Sequence, residues 1–476
     1  MERNLGLGKL NKKYLEKLVL KHLPVLGAGL DSSPLPYVED AIISVNPAIG
    51  VPTEALGFFA FHYAASNIAV SMAKPLYATF TVLLPPGFKG EDLEVITREF
   101  GCEARRYGVS VVAGHTATYK GVEQPLVVTT MIGRRIRAPR KPSAGDKVLV
   151  VGEVAAESLW LLSLAGKAEV KEEFWRQLTP LPAALRLTHV EGVKLMHDVS
   201  EGGLLGALIE VSEHCHIRID IKREELPLHP GVAKLVSEVL SAPSYGCLLA
   251  IVNGETVDEV LQLCREEGFS CAAVGEISAG DGVYVDNVRR EAAERGWIDE
   301  LYGEFSSADP VLASLKAALR KLEKIGEAVK LIPEVGMNMV YARRSAEHVE
   351  DVAGLSGRVV KSLGKPRVCG EVVYGGSRHL ALVALEAARR SEFRAAVNIR
   401  AGSSVLAALK KLGLEVEKVP MEEGGTCPVA SYIARTGRIC RAYFHPGALG
   451  VEPSVVLLGR DPWELVELLK EVAKLA

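Results

Sequence analysis

Apolar and polar positions along this chain fall into blocks whose period changes repeatedly between two and about three and a half. Residues 41–45 read as a strand, 55–73 as a long helix, and 77–84 as a second strand closed by Pro85-Pro86-Gly87. A polar helix over 91–107, with Glu91, Glu94, Arg98 and Glu99 solvated, leads to two more strands at 109–112 and 126–132. The proline-rich run RAPRKPSAGD, 137–146, then marks a boundary. From the strand at 147–151, helices alternate with strands as far as Gly275, and a polar linker at 304–310 ends on Pro310. In the last unit the β-branched run 368–374 is broken by Gly375-Gly376-Ser377. An Ala/Leu-rich helical stretch, 378–390, and an apolar strand, 395–399, follow and end on Arg400. That order predicts a βαβ unit with a tight first crossover. Asp461-Pro462-Trp463-Glu464 has the N-cap, N1 and N3 residues of a capping box. Behind it Leu465, Leu469, Val472 and Leu475 line one helix face. The blocks predict three domains, 1–138, 139–306 and 311–476, in a mixed α/β and α+β chain.

Composition narrows the class. A length of 476 residues suits two or three domains, and 48% hydrophobic with 24% charged residues is ordinary globular usage. A net charge of −3 argues against a dedicated nucleic-acid binder. The N-terminal MERNLGLGKLNKKYLEK lacks the apolar core of a signal peptide, so a cytoplasmic location is expected. The longest stretch nearly free of charge, 55–84, contains His62, Ser66, Asn67, Lys74 and Pro75, which predicts a buried helix and strand rather than a membrane span. Eight cysteines without a CxxC pair indicate neither a zinc ribbon nor a disulfide framework. Only three glutamines occur, which fits a thermophilic origin.

The densest chemistry lies in 370–400. Arg378-His379 opens a helix, where free N–H groups and the dipole favour an anion. Arg400 ends the next strand and is followed by Ala-Gly-Ser-Ser, so Ser403 and Ser404 open a second helix. Two cationic helix entrances suggest a ligand with more than one phosphate. The spacing alone is equally compatible with solvated strand-end charges.

The motifs EVGMNMVYA (334–342), LSGRVV (355–360), GGSRH (375–379) and AAVNIR (395–400), together with their order, resemble the archaeal ThiN-type thiamine-phosphate synthase domain over about 313–476. The resemblance implies an α/β three-layer domain that joins hydroxymethylpyrimidine diphosphate to thiazole phosphate and releases diphosphate. It makes Arg358 and His379 the residues needed for synthesis. Arg378, Arg400, Ser403, Ser404, Asn338 and Asn398 are the expected substrate and phosphate contacts, and Mg2+ is expected on the diphosphate. Some members of that family only sense ligand. The family's basic turn before Glu-Pro reads GALGVEP here, with Val451 where a lysine is common.

MHDVSEGGLLGALIEV (196–211), GAGLDSSPL (27–35), VVAGHT (111–116) and SAGDKVLVVG (143–152) resemble the aminoimidazole-ribonucleotide (AIR) synthase superfamily, closest in spacing to its HypE-like members. The implied fold is a PurM-like two-part module, a mixed-sheet subdomain followed by an α/β subdomain. Such modules bind ATP with magnesium and pair as homodimers. The positions carried over to nucleotide binding are Asp31, His115, His197, Asp198, Glu201, Gly202 and Gly203. Asn46, Ser66-Asn67 and Ala117 stand where relatives place acidic residues, so a degenerate ATP site is expected. The alternatives are a bifunctional synthase and thiamine-phosphate kinase, a HypE-like ATP-dependent enzyme, and a sensor without turnover. The expected partners are small phosphorylated molecules and a second copy of the chain, with no nucleic acid and no membrane. His214-Cys215-His216, read as strand residues on opposite faces, is either a metal tripod or structural. His445-Pro446-Gly447 is either a ligand contact or a turn, and Cys427 and Cys440 could face one another, although nothing in the spacing demands it.

Overall fold

The computed structural model describes residues 8–9, 12–26, 35–165, 167–200, 202–232, 236, 238–291, 301, 309–420, 427–447 and 452–476. Asp31, Glu201 and Val451 lie outside them. The chain divides into two compact units, Met1–Ser163 with Ala168–Ala308, and Leu164–Lys167 with Asp309–Ala476.

The first unit begins with β1 (Gly8–Lys9), α1 (Lys12–Leu18), β2 (Ala41–Ile49), α2 (Thr53–Val70), β3 (Ala73–Leu84), α3 (Gly90–Arg106), β4 (Ser110–Thr118) and β5 (Leu126–Arg135). These strands form one sheet in the order β1-β4-β3-β5-β2. Helix α2 is apolar all round because α3 covers it on one side and the sheet on another, so nearly all its side chains are buried. The sheet's other face is apolar and, among the described residues of this unit, carries exposed side chains. Ile43 is 66% and Val45 58% exposed, in register with Ile132 and Thr130 of β5.

A second sheet follows, built from β6 (Lys147–Val151), β7 (Val193–Asp198), β8 (Arg218–Ile221), β9 (Leu248–Val252), β10 (Cys271–Ser278), β11 (Gly282–Val285) and β12 (Val288–Arg290). Its order is β12-β11-β8-β10-β6-β9-β7. Its helices are α4 (Ala156–Leu164), α5 (Leu181–Leu187), α6 (Gly203–Cys215) and α7 (Val257–Glu267). His214 and Cys215 close α6, and His216 caps it at φ +52°, so the His-Cys-His run is a helix end and not a strand. The apolar period of 204–211 carries the helix through those residues.

The second unit has α8 (Pro310–Lys324), β13 (Met339–Ala342), β14 (Val352–Leu355), β15 (Arg358–Ser362), β16 (Lys365–Cys369), β17 (Val372–Tyr374) and α9 (Arg378–Ala388). It continues with β18 (Ala395–Arg400), α10 (Ser403–Lys411), β19 (Val416–Lys418), α11 (Pro428–Thr436), β20 (Ala442–His445), β21 (Ser454–Gly459) and α12 (Pro462–Leu475). The main sheet runs β17-β14-β13-β18-β21-β20-β19. Val340, Ala396, Tyr443 and Leu458 face α9 and α11 in one core, which also holds Cys427 and Cys440. Residues of the opposite parity, such as Met339, Val397 and Leu457, are equally buried on the side of α8 and α12. The result is three layers.

The expected βαβ unit is absent. Strands β17 and β18 are separated by β14 and β13 and run antiparallel, since each of the three intervening pairings is antiparallel. The glycine pair after the three-residue β17 turns the chain back over the sheet, so α9 covers β13 and β14 instead of crossing to a parallel neighbour. Strands β15 and β16 form a separate hairpin whose tip residues, Leu363 and Gly364, have φ +48° and +75°. That is the sign expected of a two-residue hairpin turn.

Candidate functional site

Asn338, just before β13, is buried, and its amide is spent on main chain. Its Nδ2 donates to the carbonyls of Leu355 (3.0 Å) and Gly357 (3.2 Å), and its Oδ1 accepts from Leu355 N–H (3.1 Å). Its own N–H donates to Asn398 Oδ1 (2.7 Å), and Asn398 Nδ2 donates to the Gly336 carbonyl (3.1 Å). The pair fastens β13, β14 and β18 to the turn that launches Arg358. The expectation that Asn338 donates to substrate is therefore corrected, and that for Asn398 stays open. Asn338 has no donor left for a ligand, and Asn398 retains one amide hydrogen.

Arg358 is exposed at the start of β15, with Nη1 donating to the Gly357 carbonyl at 2.7 Å. Met337 and Val359 exchange both main-chain bonds, at 2.9 and 2.7 Å, which fixes the strand behind it. Gly375 (φ +71°) donates to the Val352 carbonyl at 3.0 Å. A Cβ on Gly376 would lie 2.3 Å from the Gly354 carbonyl oxygen, so only glycine permits the chain to double back there. Ser377 N sits 3.2 Å from the Cβ position of Gly354, which places the entrance of α9 over β14, four residues before Arg358. At the other end, Arg389 donates to the Glu347 carbonyl at 3.2 Å. Arg378 and His379 are exposed on the first turn, which carries no acidic residue and no side-chain cap. Helices α8 and α12 of the same unit are capped by Asp309 and Asp461. The α9 entrance is thus a cationic end with unspent N–H groups at the same end of the sheet as Arg358.

Arg400, Ser454 and His445 are direct cross-strand neighbours on β18, β21 and β20 at that end. They share the parity of Ala396 and Tyr443, so all three point into the α9 layer. Ser403 and Ser404 are exposed at the opening of α10, which packs on α12 in the opposite layer. Arg400 therefore lies at the same end of the sheet as Arg358, Arg378 and His379, and Ser403 and Ser404 open α10 on the other layer. Two parts of this frame had no sequence signal. One is Glu452, whose carboxylate accepts the N–H groups of Glu334 (3.1 Å) and Val335 (3.2 Å). The other is the packing of Gly336 on Arg358.

In the first unit, Asn67 Nδ2 donates to Asn46 Oδ1 (2.9 Å) and Ser44 Oγ (3.1 Å). Asn67, His197, Asp198 and Glu210 line a cavity of about 550 Å³. Burial pushes the Asp198 carboxyl above its usual range, against the opposing pull of His197. His197 Nδ1 donates to the Asp198 carbonyl (2.6 Å), and its Nε2 lies 3.0 Å from Glu210 Oε2. His115 is not part of this cluster. It pairs with Thr81 on the exposed sheet face and bonds Tyr119 Oη at 3.0 Å. Gly202 and Gly203 have φ +83° and +62°. A Cβ on Gly203 would lie 2.5 Å from the Leu240 and Ala242 carbonyls, and Leu205 N–H already donates to Leu240 (2.8 Å). The α6 entrance is occupied by the protein's own main chain, which corrects its reading as an open phosphate cradle. Among the described residues no three His, Cys, Asp or Glu side chains converge as a metal site. Among the described residues the carboxylates of this cavity are Asp198 and Glu210, and the amide of Asn67, bonded to that of Asn46, stands beside them, a set poorer in charge than a metal–triphosphate site with acidic residues at both asparagines. No helix among the described residues is long and apolar enough to cross a membrane.

Comparison with known proteins divides the chain in the same way. Residues 38–135 match the family model of the AIR synthase related protein, N-terminal domain, and 143–286 that of its C-terminal domain. Residues 314–471 match the model of thiamine-phosphate synthase ThiN. The ThiN of Methanothermobacter thermautotrophicus is 31% identical over 180 residues, 34% of this chain and 94% of that protein. Carbamoyl dehydratase HypE of Bradyrhizobium diazoefficiens is 29% identical over 251 residues, 49% of this chain and 72% of that protein. The crystal structure of E. coli HypE superposes with a TM-score of 0.55 at 22% identity, covering 60% of this chain and 98% of that one, and supports the two-part fold of the first unit.

Proposed function

This chain belongs, through residues 314–471, to the thiamine-phosphate synthase ThiN family, and we propose that its second unit joins hydroxymethylpyrimidine diphosphate to thiazole phosphate. The thiazole nitrogen attacks the pyrimidine methylene carbon while the carbon–oxygen bond to diphosphate breaks. No proton needs to move, so positioning and neutralisation of the leaving anion carry the rate. Arg358 and Arg378 bind phosphate oxygens, His379 donates to the diphosphate or the thiazole phosphate, and Arg400, with Ser403 and Ser404, holds the second anion. Magnesium arrives on the diphosphate as part of the substrate. The observation that carries this reading is the fold-back that puts the Arg378-His379 helix entrance over β14, beside the start of Arg358's strand. Incubating the protein with both substrates and magnesium, with mass spectrometry of the products, tests it. Absence of thiamine phosphate would remove the synthase reading and leave a ligand sensor.

The first unit serves as an AIR synthase-like scaffold that binds magnesium-ATP weakly. The rival reading, a bifunctional synthase and thiamine-phosphate kinase, needs a magnesium site that the Asn46–Asn67 pair does not supply. The exposed apolar face around Ile43 and Val45 supports a homodimer built on this unit.

A further inference from the structure

His445 ends β20 and is 5% exposed. Gly447 N–H donates to its Nδ1 at 3.2 Å. A nitrogen that accepts a hydrogen bond carries no proton, so the neutral ring bears its hydrogen on Nε2. Burial favours the neutral form. Nε2 is itself buried and has no partner among the described residues. A buried N–H without an acceptor is costly and calls for an explanation. The register supplies one. His445 stands opposite Ser454, which stands opposite Arg400, on the face that carries the α9 entrance. Two strand spacings separate the Cβ atoms of His445 and Arg400 by about 10 Å, within reach of one phosphate-bearing ligand.

We propose that His445 contacts the ligand of this site, donating its Nε2–H to a phosphate oxygen of the bound substrate or product. The identity of the ligand rests on the synthase reading above, whereas the contact itself does not. A neutral imidazole donor beside the cationic Arg400 adds direction to charge. The acceptor must sit where Nε2–H points, so the residue selects how the anion is oriented. The oxygen belongs either to diphosphate or to the thiazole phosphate, and separate titrations distinguish them.

The test uses the full chain. Long-range 1H–15N spectra of the histidine rings should show His445 in the Nε2-protonated neutral form. Its Nε2 resonance should move on addition of inorganic pyrophosphate or of thiazole phosphate, and the probe that moves it identifies the acceptor. His445→Phe keeps a ring without the donor and should weaken binding of that probe at least about tenfold, the range of a hydrogen bond to a charged group. His445→Gln, which places an amide N–H near the lost Nε2, should recover most of the loss, as a purely structural role would not. An Nε2 resonance unmoved by either probe, or a folded His445→Phe that binds both as tightly as the parent, overturns the proposal. Should His445→Phe fail to fold, the parent spectra decide alone. A moving Nε2 resonance in a protein that makes no thiamine phosphate keeps this contact and removes the synthase reading. Active synthesis with full affinity in His445→Phe does the reverse.

Discussion

Gly336 lies directly under the side chain of Arg358: a Cβ built on it would stand 2.9 Å from the arginine Cβ and 3.0 Å from its Cγ. The glycine also has φ +84°, where other residues are strained. Gly336→Ala should cost about 1 to 3 kcal/mol of stability. It should also push Arg358 out of place and lower synthesis on the order of tenfold. Urea unfolding and steady-state kinetics measure the two effects. An unchanged rate with the stability loss present would show that Arg358 is not held in a productive position by this contact.

Arg358→Ala and His379→Ala should each lower synthesis at least about tenfold with the fold intact, since one lost contact to a developing anion is worth roughly 2 to 4 kcal/mol. Both side chains are exposed, so their removal leaves no cavity. Parent rates in both variants would withdraw these roles.

Magnesium-ATP should bind weakly or not at all, and no thiamine diphosphate should form. Asn46→Asp with Asn67→Asp restores two carboxylates where the amides now bond each other, and should create magnesium-dependent binding. Isothermal titration of both forms decides it. Micromolar affinity in the parent would promote the bifunctional reading.

Ile43→Glu with Val45→Glu should convert a dimer to a monomer without unfolding it, because both residues are exposed within the chain. Sedimentation of parent and variant at micromolar concentration is the measurement, and a monomeric parent would refute the dimer.

The first unit should lose stability as pH falls below neutrality. His62 is fully buried, with Nε2 2.9 Å from Glu103 Oε2 and Nδ1 2.7 Å from Thr179 Oγ1. Burial lowers its pKa, outweighing the opposing pull of Glu103. Below about 6.5 the unfolded chain therefore takes up a proton that the folded chain refuses, and stability declines until the depressed folded pKa is reached. His62→Gln should flatten the stability profile between pH 7 and 5. Identical slopes would assign the acid sensitivity elsewhere.

Runs with a clear period were legible in the sequence. Helix α2 and strand β3 follow from the apolar blocks, although the helix expected to reach residue 73 ends at Val70 and the strand expected from 77 begins at Ala73, and Asp461 Oδ1 does accept from Glu464 N–H at 2.9 Å. The Glu464 carboxylate, however, takes the N–H of Arg460 (2.7 Å) instead of that of Asp461, a difference no spacing rule specifies. Pairing was less legible. A helix between two strands suggests a parallel crossover, and the antiparallel pairings with the contact between Gly376 and Gly354 reveal the fold-back. The amides of Asn338 and Asn398 read as ligand contacts because they sit in chemically dense motifs. Their main-chain partners come from segments 17 to 62 residues away, which local pattern cannot show.

The β15–β16 hairpin makes the site observable from outside. Its tip residue Leu363 is fully exposed, and the strand that starts at Arg358 ends one residue before it. Five residues of strand span roughly 17 Å. A fluorophore or spin label at position 363, in a chain relieved of the exposed Cys102 and Cys369, would sit away from Arg358 yet on the same paired hairpin. Ligand occupancy then becomes a signal that can be followed in real time, without an assay of turnover and without a label that competes for the phosphate.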